Sequence, residues 1–233
     1  MKPTTLATAL DLASAAALLV LPPGLNTAAM LSVPLVKGLI LDLYTKRKEA
    51  CEAVLRSELR HVSTTDHLTR DPQSFMSKAL RLHQAAMVGT AHANLRILAR
   101  LVIADEANSA VVPDDFLYLA SIIESLRYDE LVVLAAFIRA SEQLNDNDPD
   151  KPVDLAGAVA EELPYPKATL DGLQSGLSRT GLIYTLTGYG AGGWYASPTL
   201  KRLEATVQFC QVVTEEKSAR ASNKTPNSDY KPT

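Results

Sequence analysis

Leu170, Leu173 and Leu177 recur three and four residues apart, the stripe of an amphipathic helix that the sequence places over Lys167–Arg179. Gly181, free to take positive φ, closes that helix. Leu182–Thr187 and Trp194–Ala196 are short β-prone runs either side of the glycine-rich tip Gly188–Gly193, which predicts a hairpin. Ser197-Pro198 then supplies an N-cap and a first-turn proline for a last helix. Helix, hairpin and helix in this order outline the back half of a winged helix. Val153–Leu163, before Pro164-Tyr165-Pro166, supplies its front helix.

Upstream, the hydrophobic pattern is helical throughout. Leu12–Leu21 is apolar apart from Ser14 and stops at Pro22-Pro23-Gly24, and a second apolar segment, Ala28–Tyr44, follows. A signal peptide fits poorly, with Asp11 at the edge of the run and a double proline behind it. The first segment is shorter than the roughly 20 residues a spanning helix needs, and the second would carry Lys37 and Asp42 into the bilayer. An N-terminal apolar helical hairpin over residues 1–44, packed on protein or lying in a membrane interface, is the remaining reading. Leu43–Val62 reads as a charged amphipathic helix with Ala50 and Val54 on its inner face, and Thr64–Asp71 as a loop. Pro72–Ala104 reads as one long helix, from the spacing of Leu80, Met87, Ala91, Leu95, Leu98 and Val102. Asp105–Val112 is a connection, and Pro113-Asp114-Asp115 starts a short helix through Ile123. Glu130–Leu144 is apolar all round at its centre (LVVLAAFI), as expected of the hub of a middle domain. The polar, proline-punctuated Asn145–Pro152 is a linker, and the tail from Ser218 has the composition of disorder.

The expected architecture is therefore mainly α with one small β-hairpin. Residues 1–66 hold the apolar hairpin and charged helix, 67–147 a central helical domain, 148–217 a winged-helix-like module and 218–233 a disordered tail. Composition agrees: aromatic residues are only 6%, and alanine and leucine carry the apolar content. The net charge of −3 provides no global basic field to attract nucleic acid.

Candidate chemistry is sparse. Cys51 and Cys210 read as reduced, partly buried thiols rather than a disulfide. His61, His67, His83 and His92 lack the spacing of a metal site, so neither a metal nor a cofactor is expected. No phosphate loop, nucleophile elbow or zinc-protease motif occurs, which argues against an enzyme. Gly188–Gly193 has the glycines to cradle a phosphate, but no helix N-terminus follows at once, so a wing tip is the better reading. Glu124, Asp129 and Glu130 are close enough in sequence for paired-carboxylate chemistry, with Asp129 and Glu130 complementing a helix N-terminus as the plainer account.

Two contact regions stand out. Lys46-Arg47-Lys48, directly after the apolar N-terminal segment, is the kind of basic cluster a membrane surface attracts. Trp194 and Tyr195 on the hairpin offer aromatic contact area to a partner. The alternative is DNA binding through Lys167, Arg179, Lys201 and Arg202. Over residues 166–216, however, four basic residues face four acidic ones, leaving little net charge for phosphates.

Three stretches together resemble the abortive-infection alpha (Abi-alpha) family of bacterial and phage-borne proteins. They are VPLVKGLILDLYTKRKEA (33–50), DDFLYLASIIESLRYDELVVLAAFI (114–138) and TLDGLQSGLSRTGLI (169–183), the last followed by a hairpin and a Thr-Leu-led helix. The closing SPTLKRLEATVQF departs from the family pattern in lacking a glycine. The resemblance implies a helical protein linked to phage defence or exclusion, with no assigned active site. The resulting expectation is a cytoplasmic, membrane-associated interaction protein with an unknown protein partner or a membrane surface, and with self-association into a homo-oligomer as a further option.

Overall fold

The computed structural model describes residues 34–60, 72–108, 113–145, 155–188 and 191–223. Among these are nine helices and one two-stranded antiparallel sheet, a mainly helical fold with one small hairpin. The chain divides into two compact units, Met1–Ser125 and Leu126–Thr233. The first arm of the expected N-terminal hairpin, including Leu12–Leu21, lies outside the described residues.

The first unit comprises α1 (Pro34–Arg60), α2 (Pro72–Val88), α3 (His92–Asn108) and α4 (Pro113–Ser125). The apolar stretch ending at Tyr44 and the charged helix after it are one continuous helix of 27 residues, not two elements. Nothing between Pro34 and Arg60 is a helix breaker except Gly38, which costs only about 1 kcal/mol relative to alanine. The single long helix expected over Pro72–Ala104 is instead α2 and α3, broken at Gly89. Gly89 takes φ 90°, its N–H donates to the Ala86 carbonyl (3.1 Å) and Thr90 N–H to that of Ala85 (3.1 Å). This is the paired closure of a Schellman C-cap. The leucine spacing continued in phase across the break and concealed it. The helix after it runs on to Asn108, into the expected connection. α3 is the buried centre of the unit: Ile97, Leu98, Ala99, Leu101 and Val102 are all fully buried, with α1, α2 and α4 packed around it.

The second unit holds α5 (Tyr128–Asn145), α6 (Leu155–Glu162), α7 (Lys167–Ser178), β1 (Ile183–Gly188), β2 (Ala191–Ala196), α8 (Pro198–Val207) and α9 (Phe209–Asn223). α5 is a hub, but of this unit rather than of a domain spanning 67–147. The division into compact units falls at Ser125/Leu126. Its physical reason is that α5 is apolar on every side and α6, α7, α8, α9 and β2 all pack on it. Arg127 N–H donates to Glu130 Oε2 (2.8 Å), the returning half of a capping box that starts α5.

The helix–hairpin–helix segment follows the expected chemistry closely. Leu170, Leu173 and Leu177 are buried, and Gly181 takes φ 70° after α7. Ser197 caps α8 by accepting from Leu200 N–H at 3.2 Å, with Pro198 in the first turn. The strands extend further into the glycine-rich tip than expected, with Gly188 paired to Ala191. Two corrections concern the C-terminus. Gln208, at φ 52°, ends α8, and a separate helix α9 follows, its N-terminus capped by the Glu204 carboxylate on Cys210 N–H (2.8 Å). α9 then continues through Asn223, so residues 218–223 are helical rather than part of a disordered tail; 224–233 lie outside the described residues. Arg220 explains the extension. Its guanidinium stacks 3.6 Å from the Tyr128 ring centroid and pairs with Glu216 at 3.4 Å.

Candidate functional site

The basic triplet lies on the middle of α1, and each member is engaged. Lys46 Nζ is 2.7 Å from Asp42 Oδ2, an exposed i,i+4 pair that raises the lysine pKa through its hydrogen bond and charge. Lys48 is half-buried and pairs with Glu52 at 3.8 Å. Arg47 Nη1 donates to the Met87 carbonyl, so its charge sits at the C-terminus of α2 where the helix dipole favours it. Over residues 42–52 three acidic residues balance these three cations. The triplet is a helix-packing and helix-capping feature, not a block of uncompensated positive charge.

The same place carries an apolar feature. Leu41 is 55% exposed, Leu43 48% and Val88 77%. Leu43 lies one turn before Arg47, and Val88 directly follows Met87, the residue Arg47 holds. The two side chains therefore flank a single contact between α1 and α2. Val88 could not be found from the sequence while Pro72–Ala104 was read as one helix, because only the break at Gly89 puts it at a helix end.

On the hairpin, the two aromatic candidates fall on opposite faces. Trp194 is opposite Thr185, on the face that carries the buried pair Ile183 and Ala196; it is partly buried and supports the hairpin. Tyr195 is opposite Tyr184, with ring centroids 5.6 Å apart and planes at 31°. Tyr184 is 40% exposed, so the outward face is a tyrosine pair rather than the Trp194–Tyr195 couple. The four basic candidates are exposed but do not converge. Lys167 opens α7 and Arg179 caps its other end, about 18 Å away at 1.5 Å per residue. Lys201 and Arg202 lie on α8, whose N-cap Ser197 donates its N–H to the Leu182 carbonyl at 2.9 Å. Arg179 turns back along α7, its Nε donating to the Gly176 carbonyl at 3.5 Å.

The carboxylates do not form a catalytic set. Glu124 is held by Arg81 (2.8 Å), Asp129 accepts from the Tyr165 hydroxyl (2.8 Å), and Glu130 is used by Arg127. Burial, then the Asp129 bond, pushes the Tyr165 hydroxyl up to about 12. Burial likewise pushes Cys51 up to about 11, with Glu52 adding to it, and Cys210 up to about 12, with Glu204 adding to it. Both thiols are therefore protonated and poor nucleophiles at neutral pH. Among the described residues no group of three or more histidine, cysteine, aspartate or glutamate side chains is placed to hold a metal. No helix among them is long and apolar enough to cross a membrane.

Leucine and alanine spacing gave no sign of the buried polar groups of the first unit. Glu58 is fully buried and bridged by Arg96 Nε and Arg100 Nε, each at 2.6 Å. His83 is also fully buried, and neither ring nitrogen has a hydrogen-bond partner. A scan against protein-family models, a search of curated proteins and a search of solved structures each returned no match.

Proposed function

We propose that this chain is a non-enzymatic interaction protein of bacterial or phage origin, acting in phage defence by abortive infection, that works by surface contact with a membrane or a protein partner. The phage-defence part rests on the sequence resemblance. The contact part rests on one observation, the exposure of Leu43 and Val88 beside the Arg47–Met87 contact, with Leu41 exposed on another face of α1. Burying such side chains is worth about 1.5–3 kcal/mol each. The local charge is balanced, so attraction to a bilayer here is apolar rather than electrostatic. The apolar segment before Pro34 belongs to the same reading as the first arm of an interfacial hairpin. Residues 155–207 are read as a winged-helix-like module that presents a protein-binding face.

Liposome flotation of the full-length chain tests this. The protein is expected to float with neutral and anionic vesicles alike. The triple variant Leu41→Ser, Leu43→Ser, Val88→Ser should bind at least about tenfold more weakly, on the same area estimate. Absence of flotation by the parent removes the membrane and leaves a protein partner at this surface.

A second reading is a winged-helix DNA-binding regulator, supported by the exposure of Lys167, Arg179, Lys201 and Arg202 on the helix–hairpin–helix segment. In a gel-shift titration, its affinity should fall steeply with salt and Arg179→Ala should weaken binding, with the salt slope reduced by about one. No retardation on genomic fragments at low salt disposes of it.

A further inference from the structure

We propose that His83 is an acid-sensitive latch holding α1 against α2. The imidazole is fully buried, and neither Nδ1 nor Nε2 has a hydrogen-bond partner. Its surroundings suit the neutral ring and not the cation. From α1, Tyr44 meets it edge-on with centroids 6.3 Å apart, and Lys48 and Glu52 are the charges that act on it. Glu52 is the one carboxylate acting there, and it is already shared between Lys48 (3.8 Å) and Arg56 (3.9 Å). The other charged groups on the elements that pack against α2 are engaged elsewhere: Arg96 and Arg100 of α3 on Glu58 of α1, and Glu124 of α4 with Arg81. A proton on His83 thus adds a buried charge beside Lys48 with no acceptor reserved for it, an arrangement that is costly in a low-dielectric interior.

Burial first, and Lys48 second, hold the His83 pKa below its ordinary 6.5, with Glu52 opposing. A histidine that is harder to protonate when packed than when released makes the released state the one that binds more protons. Packing is therefore complete above pH 6.5 and weakens as pH falls through that value, by about tenfold per pH unit, until the packed ring itself protonates. The consequence is local to α1. His83 is one turn before Met87, whose carbonyl Arg47 of α1 holds, so acid release of α1 also frees the exposed Leu43–Val88 end. This inference does not depend on what binds there.

Cys51 supplies the readout, because it lies on α1 and is 1% exposed. The full-length chain is treated with 4,4′-dithiodipyridine, which reacts under acidic conditions. Labelling of each cysteine is read by mass spectrometry and expressed as protection relative to the denatured chain at the same pH. Cys51 protection should fall up to about fivefold between pH 6.5 and 5.5 while Cys210 protection holds. In His83→Leu, checked for native helicity, Cys51 protection should not change over that range. Glu52→Gln, which removes the one charge favouring the packed cation, should deepen the total loss and carry it to lower pH, and Lys48→Met should make it shallower, which keeps the test decisive if His83→Leu does not fold. The proposal is overturned by flat Cys51 protection in the parent, by an equal fall in His83→Leu, by Cys210 falling in step, or by both charge variants leaving the depth of the loss unchanged.

Discussion

Glu58→Ala should destabilise the first unit by about 3–5 kcal/mol, the cost of leaving buried charge without its partner. The carboxylate is fully buried, and the guanidinium groups of Arg96 and Arg100 that flank it are only 12% and 10% exposed. Arg96 and Arg100 are i and i+4 on α3, one turn apart on the same face, so one carboxylate from α1 satisfies both with one oxygen each. Removing it leaves two cations facing each other across a cavity, and arginine does not shed its proton to escape. Since native domains are stable by about 5–15 kcal/mol, such a loss brings the unit close to unfolding at room temperature. Urea denaturation followed by far-UV circular dichroism measures it, and a loss below 1 kcal/mol would contradict the account. The triple replacement Glu58→Leu, Arg96→Met, Arg100→Leu is the informative companion. It removes the ions together with their desolvation penalty and should be neutral or stabilising by about 1–4 kcal/mol. If it is, the triad fixes how α1 sits on α3 more than how strongly, since apolar side chains accept several registers and a carboxylate between two arginines accepts one.

What the sequence revealed depended on whether an element was specified by local chemistry. The segment from Lys167 to Val207 was legible because glycine at a left-handed position, serine before proline and alternating strand residues each act within a few residues of themselves. Gly89 has the same local chemistry, but the apolar positions either side of it keep helical phase, and periodicity alone does not register a three-residue break. The boundary between the two compact units carries no such local mark. A polar, proline-containing stretch at 145–152 signals a loop, and a loop within one compact unit has the same composition as a linker between two. The start of the second unit is marked instead by Leu126-Arg127, a two-residue joint with no compositional signature. The helical end of the chain was hidden because Arg220 is ordered by a tyrosine 92 positions away, Tyr128, and long-range partners leave no periodic trace.

The candidate site divides along the same line. Residue type showed that Lys46, Arg47 and Lys48 are basic, but not that Asp42, the Met87 carbonyl and Glu52 engage them. The i,i+4 spacing of two of these pairs is present in the sequence and marks those two lysines as locally compensated. The third, Arg47 to Met87, crosses 40 positions and was not accessible. Tyr184 was missed because its β-prone run was read for secondary structure alone. Register, which places it opposite Tyr195 on the outward face, is settled only once the turn is known.

Phe137→Ala should have the corresponding effect in the second unit, a loss of about 3–5 kcal/mol. Phe137 is among the largest fully buried side chains and lies at the middle of α5, with Leu134, Ala135 and Ala136 beside it equally buried. Its ring faces no solvent on any side, so truncation leaves a cavity that α5 cannot close by moving toward one neighbour without leaving another. Phe137→Leu, which keeps most of the volume, should cost less than Phe137→Ala, and the difference between the two isolates the cavity contribution. Trp194 is the sole tryptophan and lies on β2, a strand that packs on α5, so its fluorescence in a urea titration reports this unit directly. An unchanged fluorescence midpoint in Phe137→Ala would mean that α5 is not the hub its packing indicates. A lowered midpoint has a functional corollary: the Tyr184–Tyr195 face is held by the same strand, so any contact made there should weaken in parallel with the stability lost.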